Sequence, residues 1–108
     1  MSVTQSGSVQ PATATAIVVI GGDDSSGSAF RSGERYDPVA NTWSPIASMG
    51  TARRNHAAAV IDGLLYAIGG WDGSSHLSSG ERFDPAANAW SPIASMGTAR
   101  RKHAAAAL

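Results

Sequence analysis

The chain has no cysteine among its 108 residues. That excludes disulfide frameworks, thiolate zinc sites and cysteine nucleophiles. It also lacks an excess of charge of either sign: eight Lys and Arg balance eight Asp and Glu. A balanced chain has no overall attraction to nucleic acid or anionic membrane, so neither is expected as a partner. Long apolar runs are missing. The run Ala16–Ile20 falls far short of the roughly 20 residues a membrane-spanning helix needs. The opening Met1-Ser2-Val3-Thr4-Gln5-Ser6-Gly7 has no basic segment leading into an apolar one, so the expectation is a cytoplasmic protein. No nucleophile–base pair, metal-ligand spacing or phosphate cradle stands out. Gly21-Gly22 precedes no helical pattern and implies no dinucleotide site. The sequence therefore leads us to expect no enzyme activity, no cofactor and no metal.

What the chain does have is twelve glycines, short apolar bursts and an internal repeat. Glu34-Arg35-Tyr36-Asp37-Pro38 returns as Glu81-Arg82-Phe83-Asp84-Pro85, and Trp43–Gly50 returns as Trp90–Gly97, an offset of 47 residues. Thr51-Ala52-Arg53-Arg54-Asn55-His56 returns as Thr98-Ala99-Arg100-Arg101-Lys102-His103. Of the 31 positions pairing residues 31–61 with 78–108, 24 are identical, loops included. Packing alone holds core positions and lets loops drift, so this uniformity points to a recent duplication or an engineered consensus.

A repeat of this length suits four short strands better than helices, because no extended i, i+3, i+4 apolar pattern is present. The second repeat predicts strands over His56–Ile61, Leu64–Ile68, Ser79–Phe83 and Ala89–Ile93. Asp62-Gly63 makes the hairpin turn between the first two. Pro92 suits an edge strand. The alanine runs Ala57–Ala59 and Ala104–Ala107 favour helix by propensity, yet they are short and the first adjoins a hairpin turn. They are read as strand, with a short C-terminal helix as the alternative.

These residues resemble the kelch repeat. The marks are the glycine pairs Gly21-Gly22 and Gly69-Gly70, the Glu-Arg-aromatic-Asp-Pro segments, and a tryptophan seven residues after Phe83. The resemblance covers all but the first 13 to 15 residues. It implies an all-β fold of four-stranded blades of a β-propeller, in which small side chains such as alanine suit the innermost strands. The strands run two-three-four, then one-two-three-four, then one. The expected organisation is a flexible tail over residues 1–13, a first blade over 14–55, a second over 56–102, and an inner strand over 103–108 that completes a blade of a neighbouring chain. About three or more repeats are needed for a stable stack, and propellers close with about 4–8 blades. Two blades per chain give even totals, so a head-to-tail homotrimer with six blades is the favoured assembly. The alternative is a piece of a longer propeller.

Because strands alternate direction, the loops Gly50–Asn55, Gly97–Lys102, Asp23–Ser32 and Trp71–Ser78 share one face. It gathers Arg53, Arg54, Arg100, Arg101 and Lys102. With Asn55 and Trp71, these are the candidates for binding an acidic peptide or an anionic small molecule through charge-assisted hydrogen bonds. The competing reading is that one arginine of each pair bonds blade carbonyls or a neighbouring carboxylate. Asp23, Asp24 and Asp72 partly neutralise the face. In Glu34-Arg35 and Glu81-Arg82, strand neighbours point to opposite faces, so inter-strand or inter-blade ion pairs are expected. Tyr36, Phe83, Trp43, Trp90, Met49 and Met96 are expected to pack between blades. His56 and His103 read as hydrogen-bonded strand residues rather than metal ligands. The expected function is a non-enzymatic scaffold that binds protein. The alternative is a fragment or subunit of a sugar-acting kelch enzyme of the oxidase or epimerase class, whose catalytic residues would have to break a symmetry that these repeats preserve.

Overall fold

The computed structural model describes the backbone of Thr4–Gln5 and Ser8–Val9 and all of residues 16–108. The tail expected over residues 1–13 otherwise lies outside the described residues. The two short strands β1 (Thr4–Gln5) and β2 (Ser8–Val9) pair with each other. Everything else is built on two antiparallel sheets. The first holds β3 (Ile17–Ile20), β4 (Gly33–Asp37) and β5 (Thr42–Ile46), in that order. The second holds β6 (Ala57–Ile61), β7 (Leu64–Trp71), β8 (His76–Asp84) and β9 (Ala89–Ile93). The fold is all-β, with three strands in one blade and four in the other. Among the described residues no helix is long and apolar enough to cross a membrane.

Local chemistry explains the connections. Asp62 and Gly63 both have positive φ, at 49° and 78°, as a two-residue turn matched to the strand twist requires. The four-residue-spaced turns of the two repeats each place an asparagine in the left-handed region, Asn41 at φ 56° and Asn88 at φ 48°. Asparagine tolerates that region better than most residues. Ala57–Ala59 is strand and not helix, since it pairs residue by residue with Tyr66–Ile68. Residues 103–108 form neither helix nor strand ladder, and half-buried and exposed positions alternate along them.

Two strands run longer than the sequence predicts. β7 does not stop at its glycine pair. The ladder with β8 shifts register between Ile68 and Gly70 and resumes through Gly70↔Leu77 and Trp71↔His76. Gly69, at φ 68°, takes up that bulge. In the first blade the equivalent stretch ends at Ile20, followed by a single bridge between Asp23 and Ala29.

Register decides which side chains share a face. Ile17, Tyr36 and Trp43 lie on one rung, and Val19, Glu34 and Pro45 on another. The matching rungs of the second blade are Leu65, Phe83, Trp90 and Ala67, Glu81, Pro92. The core lies between the sheets. Ile20 and Met49 from the first repeat meet Ala67 from the second, with Val18, Ile46, Leu65 and Trp90 around them. The aromatic pairs Tyr36–Trp43 and Phe83–Trp90 each sit with ring centroids 5.2 Å apart, a favourable separation for tilted rings.

Candidate functional site

The loop from β5 to β6 crosses from the first blade to the second and carries the first arginine pair. The two arginines of that pair have opposite fates. Arg53 is fully buried. Its Nε and Nη2 donate to Glu81 Oε2 at 3.2 and 3.1 Å. Its Nη1 donates to the carbonyls of Gly69 and Ser79 at 3.0 and 2.9 Å, and Nη2 also reaches Ser79 Oγ at 3.1 Å. All five donors of the guanidinium are thus engaged inside the protein. Glu81 is buried in turn and accepts from the backbone N–H groups of Gly50 and Thr51 at 2.6 and 3.2 Å. Arg53 has nothing left to offer a ligand; it ties the linking loop to the second sheet.

Further along the seam, Trp90 Nε1 donates to the Ala47 carbonyl at 2.7 Å, and Asn88 Oδ1 accepts from Ala47 N at 2.9 Å. A groove of about 430 Å³ opens beside them, with Arg53 and Glu81 among its lining residues. Glu81 and Arg82 do point to opposite sides: Glu81 is buried against the loop and Arg82 is exposed. The partner of Glu81 is therefore an inter-blade arginine and not its neighbour.

Arg54 turns outward. Its backbone exchanges both hydrogen bonds with Trp71, and its Nη1 lies 3.1 Å from Asp23 Oδ2 in a partly exposed ion pair. In the second repeat a tryptophan, Trp71, stands where the first has Asp23, and the basic partner changes its interaction to suit. Arg101 sits over the Trp71 ring, 5.0 Å from its centroid, a cation–π contact. His76 meets Trp71 edge-on at 5.1 Å. Lys102 is exposed beside Arg101, and its N–H donates to the Asn55 carbonyl at 2.7 Å. The one residue that differs between the two arginine loops thus falls where the chains of the loops touch. Both Asn55 and Lys102 have positive φ, 53° and 55°.

Of the three carboxylates expected to neutralise this face, only Asp23 pairs with a loop arginine. Asp24 and Asp72 instead shape their own loops. Asp24 Oδ1 accepts from Ser26 Oγ, Ser26 N and Ser28 N, and Asp72 Oδ1 from Ser74 N and Ser75 N. These hydrogen bonds, led by Ser26 for Asp24 and by Ser75 for Asp72, hold both carboxyls below their ordinary range. Among the described residues no carboxylate pairs with Arg100, Arg101 or Lys102. The structure places Arg54 and Arg101 against Trp71, with Lys102 beside Arg101, and loop identity in the sequence grouped Arg53 with them. Arg53 is buried away from them.

The two histidines border the seam. His103 Nε2 lies 2.8 Å from the Ile68 carbonyl. Burial, followed by the charges of Arg53 and His103, holds His56 below the usual imidazole range. An unfolded chain takes up that proton near pH 6.5, whereas the folded chain resists until lower pH. Between those values the unfolded state binds more protons. Stability is therefore full above about pH 6.5 and falls as the pH drops through the folded value. The urea midpoint is expected to fall between about pH 7.5 and about pH 5.5, with a shallower fall in His56→Gln. An equal slope in both proteins would contradict this.

Comparison with known proteins places these features. A family model described as "Kelch motif" matches residues 11–50 and again 52–97. Kelch-like protein 8 of Caenorhabditis elegans is 42% identical over 65 residues, covering 60% of this chain and 9% of the relative. The mouse Kelch-like protein 8 is 43% identical over 65 residues, 60% of this chain and 10% of the relative. Human Kelch-like protein 5 is 46% identical over 45 residues, 42% of this chain and 6% of the relative. The aligned stretch is thus a tenth or less of the length of each of these relatives.

Proposed function

Because this chain belongs to the kelch-repeat family, we propose that it is a non-enzymatic scaffold that binds an acidic peptide or a small anion on its arginine-bearing loop face. In this reading residues 14–55 and 56–102 are its two blades. Copies join head to tail into a six-bladed homotrimer, and residues 103–108 supply the inner strand of a neighbour's blade. The observation that supports ligand binding is Arg101 stacked on Trp71 beside Lys102, with no carboxylate paired to either among the described residues. A guanidinium held over an indole has little freedom left to lose on binding. It still presents donors in a fork that matches a carboxylate. Arg54 sits on the same face, restrained by Asp23.

Trp71 gives the experiment its signal. A Glu-rich peptide titrated into the protein at low salt is expected to change tryptophan fluorescence, with weakening as salt rises. Arg101→Ala should weaken binding about tenfold, in line with a lost charge-assisted hydrogen bond. Arg82→Ala, on an exposed position away from these loops, should leave it unchanged. Equal affinity in Arg101→Ala and the parent would contradict the assignment.

A further inference from the structure

We propose that the outward face of the first blade is a docking surface for residues 94–103 of a second copy of this chain, with Arg100 of one copy closing on Glu34 of the next. The proposal rests on the self-assembling reading above and supplies its residues. It comes from a contact the chain already makes with itself. Ala47–Arg54 and Ala94–Arg101 are the same eight residues, Ala-Ser-Met-Gly-Thr-Ala-Arg-Arg. The first of these segments lies on the second blade through Asn88, Trp90, Glu81 and Ser79. Among the described residues the second lies on nothing equivalent: Gly97, Thr98 and Arg100 are all exposed.

The first blade carries the complete receiving set. Asn41, Trp43, Glu34 and Ser32 stand 47 residues before Asn88, Trp90, Glu81 and Ser79. Both Glu34 and Trp43 occupy the same rungs of their sheet as Glu81 and Trp90 do of theirs. Among the described residues only the cover is missing. Ala67 is 0% exposed and its counterpart Val19 is 51% exposed; Trp43 is also 51% exposed, while Trp90 is half-buried under the linking loop. The donor side shows the same contrast, with Met49 buried and Met96 only half-buried. One substitution on the face has been accommodated already. Tyr36 replaces Phe83, and its hydroxyl donates to Asn41 Oδ1 at 2.8 Å. That oxygen keeps a second lone pair for an incoming Ala94 N–H.

An exposed carboxylate, apolar face and indole at one end thus match an exposed guanidinium, loop and methionine at the other. Donor and acceptor lie on different surfaces, so the contact is heterologous and repeats from copy to copy until rotation closes it. Arg100 would leave water as Arg53 has done, with five donors accepted by Glu34, Ser32 and the Gly21 carbonyl.

The test compares four samples by sedimentation equilibrium: the parent, Glu34→Arg, Arg100→Ala, and the two variants mixed. The parent is expected to associate. Each variant alone should weaken association at least a hundredfold and run at 11.0 kDa. The mixture pairs the intact loop of Glu34→Arg with the intact face of Arg100→Ala. It should stop at a 1:1 dimer, twice 11.0 kDa, because both outer ends are blocked. Trp43→Asp repeats the face-side test through a different contact should Glu34→Arg fail to fold. If the parent associates and the variants keep its mass, the docking assignment is overturned while the ring survives by another surface. A parent that stays monomeric overturns both.

Discussion

Arg53→Ala should lower the stability of the chain by about 3–5 kcal/mol, the usual cost of leaving one member of a buried ion pair alone. Glu81 would keep its backbone donors from Gly50 and Thr51 but lose the charge that balances it. Small domains are stable by only about 5–15 kcal/mol, so the substitution removes a large share of the total. The neighbouring Arg54→Ala is expected to cost less than about 1 kcal/mol, because its pair with Asp23 is partly exposed. Arg100→Ala, the repeat counterpart of Arg53, should leave the fold of a single chain unchanged and act only on association. Urea unfolding of the three variants at one low protein concentration reads the ranking directly. Equal midpoints for Arg53→Ala and Arg54→Ala would contradict the description of the seam.

Gly70→Ala should be nearly as damaging. Gly70 has φ 103°, and a Cβ built on it would lie 2.6 Å from the backbone oxygen of Arg54. Forcing a side chain into that conformation costs about 1–3 kcal/mol by itself. The collision is with main chain, which cannot swing aside as a side chain would. It also falls where Arg54 and Trp71 exchange both backbone hydrogen bonds in register with the β6–β7 ladder, so the open end of that hairpin must part to admit one methyl group. Gly22→Ala provides the comparison. Its φ is 93°, but nothing lies within 4 Å of the added carbon, so it should show the conformational cost alone. Matching losses in the two variants would mean that the close approach of Gly70 to the Arg54 carbonyl carries no cost of its own.

Much of this was legible in the sequence, and the reasons are local. The Asp62-Gly63 turn, the run Ala89–Ile93 and the alternation of Glu81 and Arg82 follow from rules that need only neighbouring residues. The alanine strand followed from its length and from the turn beside it, against its helical propensity. The reach of β7 past its glycine pair did not follow. Two glycines read as a stop, whereas Gly69 forms a bulge that lets pairing resume at Gly70. The fate of Arg53 was also hidden, for a non-local reason. Nothing in Thr-Ala-Arg-Arg says which arginine meets a carboxylate 28 residues away on another sheet. A signal was nonetheless present. Glu81 lies on the same rung as Ala67 and Pro92, and a glutamate among small and apolar neighbours needs a cation from outside its own sheet. The Arg101–Trp71 contact arises where the repeats differ, and Asp23 against Trp71 was the visible mark of it.

The stacking of one blade on the next through an arginine loop is the centre of this account, and it occurs once within the chain with its two halves repeated at the outer faces. The most direct measurement is the mass of the parent protein in solution across a wide concentration range. The account predicts a closed species at three times 11.0 kDa, with six blades and three Arg100–Glu34 contacts between copies. A protein that remains at 11.0 kDa throughout would contradict it, and would mean that Glu34, Trp43 and Arg100 are surface residues with no second copy to receive them.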